Sequence, residues 1–137
     1  MKFTTPRGNT NEEQPARLHP DRTIALPAYQ DYTIRTKNTE CLNVAAAAKL
    51  AVSETAQDRG SLALVTSTNT GYSFAQSDYC ARVEVGANGV IGMTTRSTGA
   101  AADAVHTLTP AMPAGSGRIE WTCASTAPDS QIPAECR

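Results

Sequence analysis

The residues of this 137-residue chain that could do chemistry are four cysteines, Cys41, Cys80, Cys123 and Cys136, and two histidines, His19 and His106. Thiols serve as metal ligands, redox couples, nucleophiles or cross-links. A zinc or dithiol centre usually brings two of them together as Cys-x-x-Cys, and no pair here has that spacing. An even set of widely spaced cysteines reads instead as a disulfide framework, which places the folded domain in an oxidising compartment, periplasmic or extracellular. The bland counterpart is four reduced, buried thiols in a cytosolic protein. Four cysteines allow three pairings, and all three stay open at this point.

The rest of the chain is poor in convergent acid–base groups. His19 lies in a polar N-terminal stretch. His106 shares strand parity with Leu108 and has no acid partner evident in the sequence, so a satisfied or partly exposed strand histidine is expected. Serines are plentiful, but none sits in a Gly-x-Ser-x-Gly elbow. No phosphate loop, dinucleotide fingerprint or Asp-rich calcium loop is present. Glu40, Glu54 and Asp58 alternate with Lys37, Lys49 and Arg59, which reads as a solvated helix face. No catalytic, cofactor-binding or metal-binding residue is therefore assigned. The composition is that of a chain that binds or builds rather than an enzyme.

Bulk properties narrow the classes further. A chain of this length with 40% hydrophobic residues fits one domain. A net charge of −1 and 5% aromatic residues argue against a nucleic-acid-binding surface, which carries a basic excess with stacking aromatics. No run reaches the roughly 18 apolar residues that would span a bilayer. The opening "MKFTTPRGNTNEEQPARLHPDRT" has no apolar centre, so it does not read as a signal peptide and conflicts with an oxidising destination. Residues 1–23 read as a non-native leader or tail, with the globular domain at 24–137.

Within that domain the elements that must position the cysteines follow from periodicity. From about Ala28 to Arg59 there is no proline or glycine, alanine is abundant, Pro27 suits a first turn and Gly60 suits a C-cap. A helix over 24–60 is expected. Ile34, Cys41, Ala45, Ala48 and Val52 share one stripe of it, and Tyr32, Leu42, Ala46 and Leu50 share a second, about 130° around. A helix that packs only on a sheet needs one stripe; two point to a second partner, or else the alanines are there simply as good helix formers. Residues 61–78 read as an irregular connection anchored at Leu62 to Val65.

The period then changes to two. "YCARVEV" alternates, with Ala81, Val83 and Val85 opposite Arg82 and Glu84; "GANG" turns; "VIGMTT" returns with Ile91 and Met93 inward. "AVHTLTPAM" is a third strand, confined by Pro110 to an edge or a strand end. "RIEWTC" places Ile119, Trp121 and Cys123 on one face. The expected fold is α+β: one long N-terminal helix packed on a four-stranded antiparallel sheet over 79–125, followed by a C-terminal loop at 123–137.

With "IALPAYQDYTIRTK", "ARVEVGANGVIGMTT" and Trp121-x-Cys123…Pro133-x-x-Cys136 together, residues 24–137 resemble the head of a type IV major pilin. The first stretch matches the junction where the family's N-terminal helix leaves its hydrophobic half. The second resembles the family's first hairpin, and the third its C-terminal disulfide loop. Relatives begin with an apolar helix of some two dozen residues bearing a glutamate. Here residues 1–23 occupy that place, so the resemblance implies a truncated, soluble head whose leader and membrane anchor would lie upstream. That would resolve the export conflict.

The resemblance implies a subunit of an extracellular pilus, brought through the inner membrane of a Gram-negative bacterium. Such filaments serve surface attachment, twitching motility, biofilm formation or DNA uptake. It implies no cofactor. Its partners would be copies of itself in a helical filament, the assembly machinery, and the membrane through the missing helix. Ile34, Ala45, Ala48 and Val52 would face the sheet; Tyr32, Leu42, Ala46 and Leu50 would face other subunits. Ser61–Asp78 and the C-terminal loop would offer binding surface.

On the same footing Cys123–Cys136 closes the C-terminal loop and Cys41–Cys80 ties the helix to the sheet, for about 3 and about 4 kcal/mol in the chain-entropy model. Cys41 departs from the pattern, since many relatives carry only the C-terminal pair. Strict alternation would point Cys80 away from the helix with Arg82 and Glu84, so the bond requires Cys80 before the regular strand or at a bulge. The loop Ala124–Glu135 has almost no apolar anchoring by composition, and the disulfide is expected to restrain it. Two rivals predict other outcomes. The first is a minor pilin or a type II secretion pseudopilin; pseudopilins often carry a calcium site in place of the C-terminal disulfide. A small secreted inhibitor or toxin would act alone behind a cleavable signal.

Overall fold

A computed structural model describes residues 28–137. The leader, His19 and the helix entry at Ile24-Ala25-Leu26-Pro27 lie outside the described residues. The rod consists of two helical segments, α1 over residues 28–44 and α2 over Ala46–Arg59. Ala45 loosens the joint with ψ at −5°, a departure from the unbroken helix expected. Hydrogen bonding still crosses it: Ala45 N–H reaches Cys41 O at 3.2 Å, and Lys49 N–H reaches Ala45 O at 3.0 Å. Gly60 ends α2 in the left-handed conformation, φ 85°, which a side chain would resist.

The strands form an antiparallel meander in the order β1 (Cys80–Val85), β2 (Ile91–Thr95), β3 (Val105–Ala111) and β4 (Glu120–Ser125). β3 is an inner strand, and Pro110 stands next to its last residue, opposite Trp121. There its missing N–H costs least. The inward side carries Val83, Val85, Ile91, Met93, Thr95, His106 and Leu108, all buried. β4, at the edge, only half-buries Trp121 and Cys123.

Against this face lies a helix row at Ile34, Asn38, Cys41, Ala45, Ala48, Val52 and Ala56, every member buried. The steps of three and four keep the row on one side of the rod. Four of the seven are alanine or cysteine, and small side chains let the helix axis approach the sheet closely. Asn38 is the polar exception.

Cys41 and Cys80 are bonded, with Cα atoms 4.8 Å apart. The conflict with strand alternation is resolved by a bulge. The β1–β2 register shifts between Cys80 and Arg82, whose partners Thr95 and Thr94 are consecutive. The extra residue, Ala81, turns Cys80 inward while Val83 and Val85 keep their side.

The β1–β2 turn is fitted just as tightly. Asn88 and Gly89 both adopt positive φ, 61° and 78°, and Gly89 is buried against the helix. A Cβ at Gly89 would lie 2.7 Å from Val52 Cγ1. Gly89→Ala is therefore expected to destabilise by about 2 kcal/mol or more, from strain and overpacking combined. A Cβ at Gly92 on β2 meets nothing within 4 Å. Urea melts in which Gly92→Ala costs as much as Gly89→Ala would contradict this account.

Candidate functional site

Two features stand out once the fold is assembled: the side of the rod turned away from the sheet, and the C-terminal loop. On the rod, Tyr32 is 62% exposed and Leu50 60%, and Ala46 is exposed as well. Leu42 differs, being half-buried and packed against the core. With Ala46, Lys49, Leu108 and Glu135 it lines a shallow groove of about 370 Å³ between the rod and the sheet. Tyr29 and Leu64 extend the exposed apolar surface beyond the four residues singled out from the sequence. Tyr29 falls outside a stripe counted from Tyr32, and Leu64 lies outside the helix altogether.

The C-terminal loop leaves β4, passes Pro128 and returns so that Cys136 bonds Cys123, with Cα atoms 4.6 Å apart. The expectation that this loop lacks apolar anchoring is overturned by Ile132, which is 1% exposed. A buried isoleucine stabilises by about 2 kcal/mol, comparable to the disulfide's loop-closure term.

A second restraint comes from the helix. Asp31, Arg35 and Asn38 stand four and three residues apart, on one side of α1. Asp31 Oδ1 accepts from Gln131 Nε2 at 3.1 Å. Arg35 donates to Ser130 O from Nε and Nη2 at 3.1 and 2.9 Å. Asn38 Nδ2 donates to Gln131 O at 2.8 Å. From the far end, Arg137 folds back and donates to the carbonyls of Asp129 and Ile132. The loop is thus clamped by side chains nearly a hundred residues upstream. The sequence held one signal of this: Asn38 falls within the Ile34–Cys41 stripe, where a polar side chain must find a partner.

His106 supports the loop from beneath. It is fully buried, not partly exposed, and its Nδ1 shares a 2.9 Å hydrogen bond with Ser125 Oγ. Burial pushes its pKa below the ordinary 6.5, and burial likewise raises the pKa of Tyr72. Among the described residues, Lys37 lies over the Tyr79 ring at 5.0 Å and Lys49 over the Trp121 ring at 5.6 Å. Among the described residues no three of His, Cys, Asp and Glu gather where a cation could be held.

Comparison with known proteins settles the class. Residues 34–137 match the family model for pilin, a bacterial filament protein. The chain belongs to the pilin family. The fimbrial protein EcpC of Eikenella corrodens is 37% identical over 118 residues, covering 83% of this chain and 77% of that protein. The type IV pilin resemblance read from the sequence therefore holds at the level of the family, whose members are structural subunits and not enzymes. The helix-on-sheet fold expected for it is the one observed. This pilin is a structural subunit of an extracellular pilus or fimbrium.

Two measurements follow for its loop. Asn38→Ala leaves Gln131 O without its donor at a half-buried site, at a cost of about 1 kcal/mol. Limited proteolysis should then cut the segment 126–135 faster than in the parent; unchanged cleavage would show the clamp to be idle. Cys41 and Cys80 are both 0% exposed, whereas Cys123 is half-buried. A mild dithiol should therefore reduce Cys123–Cys136 first, as read by alkylation and peptide mapping.

Proposed function

We propose that this pilin polymerises through its helical rod into a type IV pilus, with Tyr32, Leu42, Ala46 and Leu50 at the contacts between subunits. The observation that carries the reading is the two-sidedness of the rod. One side is buried to the last residue against its own sheet, while the other presents Tyr29, Tyr32 and Leu50 at more than half exposure. An isolated large apolar residue on a surface needs no explanation; a row of them along one rod calls for a partner. Copies of the same chain are the partner that the family supplies.

In this role the sheet and its two loops form the outer layer of the filament. The connection at 61–78 and the loop at 124–135 are then the surfaces available for attachment, for twitching traction or for DNA contact. Assembly machinery at the inner membrane of a Gram-negative cell, and a membrane-held apolar helix segment of the family's kind, are the partners such a role requires. The C-terminal disulfide loop favours a pilin of this kind over a pseudopilin.

The decisive experiment places charge on the exposed side of the rod in a filament-forming, full-length protein. Leu50→Glu should abolish pili seen by electron microscopy, while the isolated head melts within about 0.5 kcal/mol of the parent, as exposed substitutions do. Leu42→Glu should have the same effect on filaments with a larger loss of stability, since Leu42 also packs on the core. Normal pili from Leu50→Glu would end the assignment of this side of the rod.

A further inference from the structure

Tyr32, Thr36, Thr39, Asn43, Ala46 and Leu50 follow one another along the rod at steps of four and three. That spacing keeps them in one line on the helix, and none of them is buried. The line passes the joint at Ala45, where backbone hydrogen bonding continues. It is uneven. Tyr32 and Leu50 stand at its ends as large, exposed side chains, and the residues between them are short. Beside the short stretch opens the groove of about 370 Å³. Leu42, Ala46 and the buried Leu108 make its lining apolar, while Thr39, Asn43 and Glu135 add polar groups. Tyr32 does not reach this groove in its own chain. Thr39 and Asn43 lie seven and eleven residues further on, about 10–17 Å along the helix.

We propose that this groove is the socket for Tyr32 of a second copy of the chain, set parallel and displaced along the rod by two to three turns. The proposal rests on the reading of the rod as the assembly surface, and it deepens that reading by assigning one knob and one socket. Two such rods laid together without displacement would bring Tyr32 against Tyr32 and Leu50 against Leu50, leaving the short stretch between them unfilled. A shift of one heptad sets Tyr32 of the second copy at Thr39 of the first, and Leu50 of the first at Asn43 of the second. Both large side chains then meet short ones. The chemistry fits as well. The ring takes the apolar lining of Leu42, Ala46 and Leu108, and its hydroxyl finds the Asn43 amide or the Glu135 carboxylate. A leucine, the other large exposed side chain on this line, would cover those polar groups without pairing them.

Knob and socket stand at different places on one molecule, so the contact is heterologous. Each copy offers Tyr32 to one neighbour and its groove to another, and such a series runs on as a filament instead of closing as a pair. The area involved points the same way. One aromatic side chain buries about 150–250 Å², far below the roughly 1,200 Å² of a stable two-body interface. The contact is too small to hold two heads together and gains its strength from repetition beside the other contacts of an assembly. The 137-residue chain is therefore expected to sediment as a monomer. A stable dimer joined through Tyr32 on both sides would contradict the proposal.

Photo-crosslinking inside pili of the full-length, filament-forming protein tests the assignment. With p-benzoylphenylalanine in place of Tyr32, mass spectrometry should find the probe joined to a neighbour within residues 39–46, at Leu108 or within 133–136. Products confined to residues 28–36 of the neighbour would mean a two-fold contact and overturn the proposal. Products elsewhere on the neighbour's rod would also overturn it, while leaving the rod as the assembly surface. Products only on the outer side of the sheet, or none, would remove both readings. Should the substituted protein form no pili, the same probe in place of Asn43 decides. Capture of residues 28–36 of a neighbour supports the socket; capture elsewhere, or none, rejects it. Should neither variant assemble, hydroxyl-radical labelling of unmodified pili decides. Tyr32 and Leu42 should both lose most of the labelling they show in the isolated head, and either one labelled as in the isolated head rejects the socket.

Discussion

The close seating of an alanine-faced helix on a small antiparallel sheet is the constraint on which the rest of this pilin depends. Ala45, Ala48 and Ala56 offer little apolar area each, so the contact stabilises only if the backbones come near enough for Ile91, Met93 and Val83 to fill the space between them. That nearness has consequences elsewhere. It leaves no room for a Cβ at Gly89, which touches Val52. It also requires β1 to bulge so that Cys80 reaches Cys41, and it brings the first turns of the rod within hydrogen-bond reach of the C-terminal loop. Pull the rod away and the turn, the bond and the clamp lose their geometry together.

The same constraint explains why the rod is two-sided. Small residues fill one side and charged residues much of the rest, so it is not a helix that must be buried all round. Alanine and straight-chain residues favour helix by propensity, which helps the rod keep its form without partners on every side. The large apolar residues Tyr29, Tyr32 and Leu50 are concentrated where its own sheet does not reach. In the assembly proposed above, association would complete their burial, the property a polymerising subunit needs: stable alone, more stable in company.

How much of this is legible in the sequence depends on the range of the interaction. The buried row from Ile34 to Val52, the Gly60 cap and the alternation of Val83, Val85, Ile91 and Met93 are written in local periods, and a period of 3.6 or 2 can be counted in a single sequence. The bulge at Cys80 is readable in a weaker sense, as a contradiction between strand parity and a bond to the helix. Ile132 escapes such counting because a lone isoleucine in a polar segment has no period to betray its burial. The contacts of Asp31, Arg35 and Asn38 span the length of the domain, and polar residues four and three apart on a helix look the same whether they meet water or a loop carbonyl.

The loop that emerges is held by restraints of different chemistry, and the difference matters more than their number. A disulfide answers to thiols, a buried isoleucine to heat and denaturant, and a guanidinium on a carbonyl, partly exposed, to competition from solvent. In a protein displayed outside the cell, no single one of these conditions removes every restraint at once. A cross-link alone would leave a tethered but shapeless segment, because closing a loop limits where its ends go and not the path between them. The clamp and Ile132 supply that path. Shape in this loop is therefore a tertiary property, borrowed from the rod, and any surface it presents inherits its form from the helix.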